Sequence, residues 1–125
     1  MTEEGKTTNA IINVYKNLAA GGVSMIISSL MAVAEKGKDV KDQISIYHEN
    51  YISEIAKIAA AVHQTDPATV FIAQLCHAGR QLTYDNQTAE CVGPSVVLSP
   101  LLVRKARELT SAEIIGVGIK SSLKN

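Results

Sequence analysis

Residues 74–80, QLCHAGR, place an amide, a thiol, an imidazole and a guanidinium directly after an apolar run. Gln74 stands near the end of that run, 69–75, TVFIAQL. A primary amide has two donors and an acceptor, so Gln74 can pair with the edge of a cyclic imide. The plainer use of a glutamine there is a polar group satisfied at a strand end. His77 is read as fixing the following loop rather than as an acid or base. Arg80 is read as satisfying loop carbonyls or neighbouring carboxylates. The two cysteines, Cys76 and Cys91, form no CxxC pair and no metal-ligand cluster. They read as free thiols, with packing as the main job of Cys76, and no metal site is expected.

The elements that must hold these groups are legible from periodicity. Thr7 or Thr8 can cap a helix whose face is Ile11, Val14, Tyr15 and Leu18. Gly21-Gly22 ends it. Residues 23–29, VSMIISS, are short and mostly apolar without alternation, as in a parallel strand buried on both faces. Residues 34–45 are polar and predict a loop. A helix over roughly 48–63 follows, with Ile52, Ile55, Ala59 and Val62 on one side and Glu54 and Lys57 away from it. Asp66-Pro67 breaks the chain, and 69–75 is the second buried strand. The order predicts two adjacent parallel strands joined by a crossover helix. Residues 76–108 read as an elaborated loop. Thr110-Ser111-Ala112-Glu113 is a capping box, but Gly116 and Gly118 are expected to weaken its helix within a turn.

Composition narrows the function classes. Basic and acidic residues balance at twelve each, which gives no field for nucleic acid or an anionic membrane. Aromatic residues make up 4 % with no Trp, so stacking on bases has little support. Apolar stretches are interrupted well before the ~18 residues that suggest a membrane span. The start, Met1-Thr2-Glu3-Glu4, lacks the apolar core of a signal peptide, so a cytoplasmic location is expected.

Four segments then carry a resemblance: LAAGGVSMIIS (18–28), QLCHAGRQ (74–81), VGPS (92–95) and RELTSAEI (107–114). In this order and spacing they resemble landmarks of the NADH:flavin oxidoreductase family, the Old Yellow Enzyme group. HAGR alone is a weak motif; behind a buried strand with Gln74, and ahead of the other two segments, it is specific. The resemblance implies a TIM (β/α)8 barrel that binds FMN, takes electrons from NAD(P)H and passes hydride to an activated C=C bond. It implies that Gln74 bonds the flavin pyrimidine. It also implies that Ser29 or Leu30 holds the place at the second strand end where a small residue commonly lets the backbone approach the flavin; Leu30 departs from that pattern. His77, Gly79 and Arg80 belong to the signature, and Ala106 stands where the family often has Pro.

Such a barrel typically takes ~250 residues. Residues 1–125 are therefore expected to be an N-terminal part of it, an α/β fragment incomplete at both ends. The family's first strand, the pair that holds the substrate carbonyl and the phosphate-gripping loops have no counterpart. None of Tyr15, Tyr47, Tyr51 or Tyr84 matches the proton donor, so no catalytic residue is assigned. The isolated chain is expected to be inactive and to self-associate or be complemented by the missing strands. A small-molecule substrate belongs to the full enzyme. The alternative is a truncated, non-catalytic α/β module that binds a partner.

Overall fold

The structure, a computed structural model, describes residues 5–82, 90–99 and 104–122, with only the backbone at 119–122. Helix α1, Asn9–Ala20, starts where Thr8 Oγ1 accepts the Ile11 amide at 3.4 Å. It ends at Gly21, and Gly22 takes φ +80°, a conformation that costs glycine nothing. Strand β1, Met25–Ala32, follows. A turn of 3-10 helix, Glu49–Tyr51, leads into α2, Ile52–Thr65, and α2 leads into β2, Val70–Cys76. Asp66 closes α2: its carboxylate accepts the Ala68 amide at 3.0 Å. The Thr69 hydroxyl lies 2.9 Å from Asp66 Oδ2 and 2.8 Å from the Val23 carbonyl, tying the turn to the chain entering β1.

β1 and β2 run parallel and adjacent, as the two apolar runs predict, each starting one or two residues later than expected. Residues in register share a face of the sheet. One face carries Ile26 with Phe71 and Met31 with Leu75, and packs on the helices. Tyr15 and Ala19 of α1 and Ile58 and Val62 of α2 complete this core, with Val33, Ile44 and Ile46 at its C-terminal end. The Tyr15 ring meets Phe71 edge-on, centroids 5.4 Å apart. The other face carries Met25, Ile27, Leu30, Val70 and Ile72, each 40 to 59 % exposed.

The helical stripes differ from expectation by one position. Val14 and Leu18 of α1 are exposed, and Ala19 is buried beside Tyr15. On α2, Ile52 is exposed and Ile58 is fully buried. An α-helix advances 3.6 residues per turn, so an i, i+3, i+7 stripe drawn from its first apolar residue can drift off the buried seam. Residues 34–45 form a loop, as expected, with a 3-10 turn at Glu35–Gly37. The loop ends against β1: Ala32 donates to the Ile44 carbonyl at 2.8 Å and accepts from the Ile46 amide at 2.9 Å.

The excursion after β2 is more ordered than a loop. Strand β3, Val92–Gly93, pairs in parallel with β4, Arg107–Glu108. Helix α3, Ser111–Ser122, then runs past Gly116 and Gly118, further than the weakening expected of those glycines suggests. A glycine costs a helix about 1 kcal/mol relative to alanine, which weakens a helix without ending it. No helix among the described residues is long and apolar enough to cross a membrane.

Ile58 and Ile52 separate burial from helix propensity. Ile58 is 0 % exposed and Ile52 57 %. Ile58→Ala should cost about 2–5 kcal/mol and Ile52→Ala less than about 1 kcal/mol in urea unfolding. Equal losses would show that α2 is not docked through Ile58.

Candidate functional site

The C-terminal ends of β1 and β2 bring Leu30 and Gln74 side by side, since the two residues are register partners. Both are exposed on the face that the helices leave bare. The Gln74 side-chain amide has no hydrogen-bond partner among the described residues, which leaves its donors and acceptor available. Ser29 is placed differently. It belongs to an irregularity of β1 between Ile27 and Leu30, and its hydroxyl accepts a hydrogen bond from the Tyr15 hydroxyl at 3.2 Å. Leu30, not Ser29, is therefore the neighbour of Gln74 across the ladder.

The HAGR segment folds as a compact turn. His77 Nδ1 accepts the Gly79 amide at 3.1 Å, and Gly79 adopts φ +58°. The imidazole lies so close to Gly37 that a β-carbon there would fall on the ring. Ala78 donates to the Gly37 carbonyl at 2.9 Å and Val92 to the Gly79 carbonyl at 3.2 Å. The HAGR turn as a whole is thus tied to the Gly37 turn and to Val92, with the His77 ring against Gly37. Arg80 is exposed. Cys76 is half-buried opposite Ala32, and Cys91 Sγ lies 3.6 Å from the Arg80 carbonyl. Ala106 is buried and donates its amide to the Val97 carbonyl at 3.0 Å, a bond a proline at this position lacks. Tyr84 lies outside the described residues.

Two clefts flank this end of the sheet. One, of about 390 Å³, is lined by Ile11, Ser29, Leu30, Val40 and Gln43 among others. Gln43 holds its wall, donating to the Leu30 carbonyl at 3.2 Å and accepting the Asp39 amide at 2.7 Å. The other, of about 380 Å³, is lined by Lys36, His77, Glu90, Arg107 and Glu113. Its arginine pairs with two of its three carboxylates. Arg107 donates to Glu90 at 2.7 Å and to both Glu113 oxygens at 2.8 and 3.1 Å. Glu113 also accepts the Thr110 amide at 2.8 Å, and Thr110 Oγ1 accepts the Glu113 amide at 3.3 Å, so the predicted capping box is formed. The Arg107 hydrogen bonds, with those from Thr110, hold the Glu113 carboxyl at about 2, and Arg107 holds Glu90 below the ordinary carboxylate range. Sequence reading saw the box but not its arginine. The signal available was Arg107 three residues before the cap, on the strand that β3 fixes.

No group of His, Cys, Asp and Glu that could hold a metal ion occurs among the described residues. The sequence model of the NADH:flavin oxidoreductase / NADH oxidase family matches residues 1–117. The chain is similar to an NADH oxidase of Thermoanaerobacter brockii, 35 % identical over 114 residues, covering 90 % of this chain and 17 % of that enzyme. It superposes on a 2-naphthoyl-CoA reductase with TM-score 0.82 at 22 % identity, over 95 % of this chain and 20 % of the other. It also superposes on an Old Yellow Enzyme homologue from Zymomonas mobilis with TM-score 0.74 at 20 % identity, over 95 % and 37 %. The chain thus spans less than two fifths of the length of each. The structural likenesses show the fold, the parallel strands and outer helices of a TIM barrel.

The Arg107–Glu113 contact predicts a pH dependence. The folded carboxyl of Glu113 sits at about 2, below its ordinary 4.5. A depressed value means stabilisation that is complete above pH 4.5 and lost as pH falls through 2. The Thr110 amide resonance should therefore shift with a midpoint at about pH 2. In Arg107→Gln its midpoint should move upward; an unmoved midpoint would rule out the arginine as the cause.

Proposed function

Because the chain belongs to the NADH:flavin oxidoreductase / NADH oxidase family, we propose that it supplies one flank of an FMN site in an NAD(P)H-dependent oxidoreductase of the ene-reductase type. The observation that carries this is the placement of Gln74. Its amide is exposed at the C-terminal end of a parallel strand, in register with Leu30, on the face opposite the helices. In a barrel that face is the interior, and the C-terminal strand ends are where reactive groups gather.

The residues present fit one edge of a flavin. The Gln74 amide matches an imide, which offers a donor between two acceptors. Leu30 offers apolar surface beside it, bulkier than the small residue common in the family. Ser29 contributes through the backbone rather than by its side chain, which is engaged with Tyr15. Bound there, FMN would supply hydride-transfer chemistry between NAD(P)H and an activated C=C bond. This chain's residues bind and orient. Phosphate recognition, a carbonyl-binding pair and a proton donor belong, in this proposal, to further barrel strands on the same or a complementing polypeptide. The substrate is a small molecule.

One observation favours the alternative of a non-catalytic module that binds a partner. The exposed side chains of Met25, Ile27, Val70 and Ile72 form an apolar face on a sheet that has two strands among the described residues. Exposed edges and apolar faces invite association, with a second copy or with the missing barrel strands.

FMN titration of the 125-residue chain tests the flavin reading. Gln74→Ala should weaken binding by roughly two- to twelve-fold, the loss of one hydrogen bond of about 0.5–1.5 kcal/mol. Unchanged affinity would count against Gln74. A second measurement checks whether the chain alone suffices: with FMN, NAD(P)H and an enone, the isolated chain should turn over no faster than free flavin, because in this proposal substrate orientation and the proton donor come from further strands. Turnover well above that level would mean that copies of the chain assemble a complete site.

A further inference from the structure

β1 takes three residue steps from Ile27 to Leu30 while β2 takes two from Ile72 to Gln74. The extra residue makes a β-bulge, and side chains rather than the regular ladder hold it. The Ser29 amide donates to the Tyr15 hydroxyl at 2.7 Å, and that hydroxyl donates to Ser29 Oγ at 3.2 Å. Next to it, the Ser28 hydroxyl donates to the Ser29 carbonyl at 2.8 Å and accepts the Gln74 amide at 2.9 Å. Ser28 therefore provides the acceptor to which a β1 carbonyl would ordinarily be put. Tyr15 and Ser28 are both buried, 6 and 3 % exposed, so water competes poorly for these bonds.

We propose that Tyr15 and Ser28 are positioning residues: together they set the bulge that brings Leu30, instead of Ser29, beside Gln74. This rests on the flavin reading only for its consequence, since the register itself is a property of the chain. The geometry has a direct logic. Side chains alternate between faces along a strand, so one residue of slip exchanges the faces. Without the bulge, Ser29 would stand opposite Gln74 and the Leu30 side chain would turn toward the helices. With it, the apolar alternation resumes and Met31 returns to the core opposite Leu75. Tyr15 is well suited to the task because its ring is already fixed against Phe71. The hydroxyl thus reaches the bulge from α1 at a defined position.

The test uses the full 125-residue chain as wild type, Tyr15→Phe, Ser28→Ala and Ser28→Thr, with amide hydrogen exchange followed residue by residue. Tyr15→Phe keeps the ring and Ser28→Thr keeps the hydroxyl. The Gln74 amide should exchange about tenfold faster in Ser28→Ala and return to the wild-type rate in Ser28→Thr. Tyr15→Phe should speed exchange at Ser29 and Gln74. Ile72, which pairs before the bulge, should be unaffected in every variant. Unchanged Gln74 exchange in both Tyr15→Phe and Ser28→Ala overturns the proposal, and so does uniform acceleration along β2, which would indicate general loosening. FMN titration decides the consequence separately. Tyr15→Phe and Ser28→Ala should each lose several-fold in affinity, and neither should lose more when combined with Gln74→Ala. If Gln74→Ala binds FMN as well as wild type, the flavin reading fails while the exchange data still decide the register.

Discussion

Parallel strands cannot be joined by a tight turn, because the chain must return to the starting end before the second strand begins. That constraint organises the described residues. α2 is the return path, and Asp66 and Thr69 stop it where the Val23 carbonyl can be reached, so that β2 enters level with β1. α1 and α2 lie on the same side of the pair and bury Ile26, Met31, Phe71 and Leu75. The opposite side is left to Met25, Ile27, Leu30, Val70 and Ile72. A parallel sheet is ordinarily covered on both faces. The exposure of these five apolar side chains leaves that face uncovered among the described residues.

The polar content of that face follows from position along the strands. Near the N-terminal ends it is wholly apolar, Met25 with Val70 and Ile27 with Ile72. At the C-terminal ends it changes to Leu30 with Gln74. The face thus changes from apolar to partly polar toward the strand ends, and in TIM barrels generally the C-terminal strand ends are where active sites lie. The bulge lies at the transition. It allows two serines to occupy the middle of an apolar strand without burying unsatisfied hydroxyls, because each has a partner.

Much of this was legible in the sequence. The continuous apolar runs around Ile26 and Phe71 marked two adjacent parallel strands, although burial on both faces was expected and only one face is buried among the described residues; Thr7 or Thr8, Gly21-Gly22 and Asp66-Pro67 marked the helix ends. Gln74 was placed at its strand end by the same logic. The bulge was not legible. Ser28-Ser29 looked like the end of a strand, because a pair of hydroxyls in an apolar run ordinarily marks a boundary. Only the Tyr15 hydroxyl, contributed by another element, makes it a strand interior. For the same reason the residue that stands beside Gln74 across the ladder could not be named from the sequence. The exact core stripes of α1 and α2 also depended on how the helices rotate against the sheet, which periodicity does not specify.

The C-terminal arm shows the complementary case, in which local rules misled. Two glycines in α3 argued for early fraying, yet the helix continues to Ser122. Its N-terminus is unusually well supplied. Thr110 caps, Glu113 reaches back, and Arg107 clamps the Glu113 carboxylate through two nitrogens. Arg107 is in turn fixed by β3, whose flanking residue Cys91 accepts its amide at 2.9 Å. A carboxylate near a helix N-terminus favours the dipole, and one held in place by an arginine loses less freedom in doing so. Initiation is the costly step of helix formation and each later residue adds comparatively little. A start held by a strand two residues away therefore outweighs two glycines in the middle, and helix length here is decided by tertiary contacts made before the helix begins.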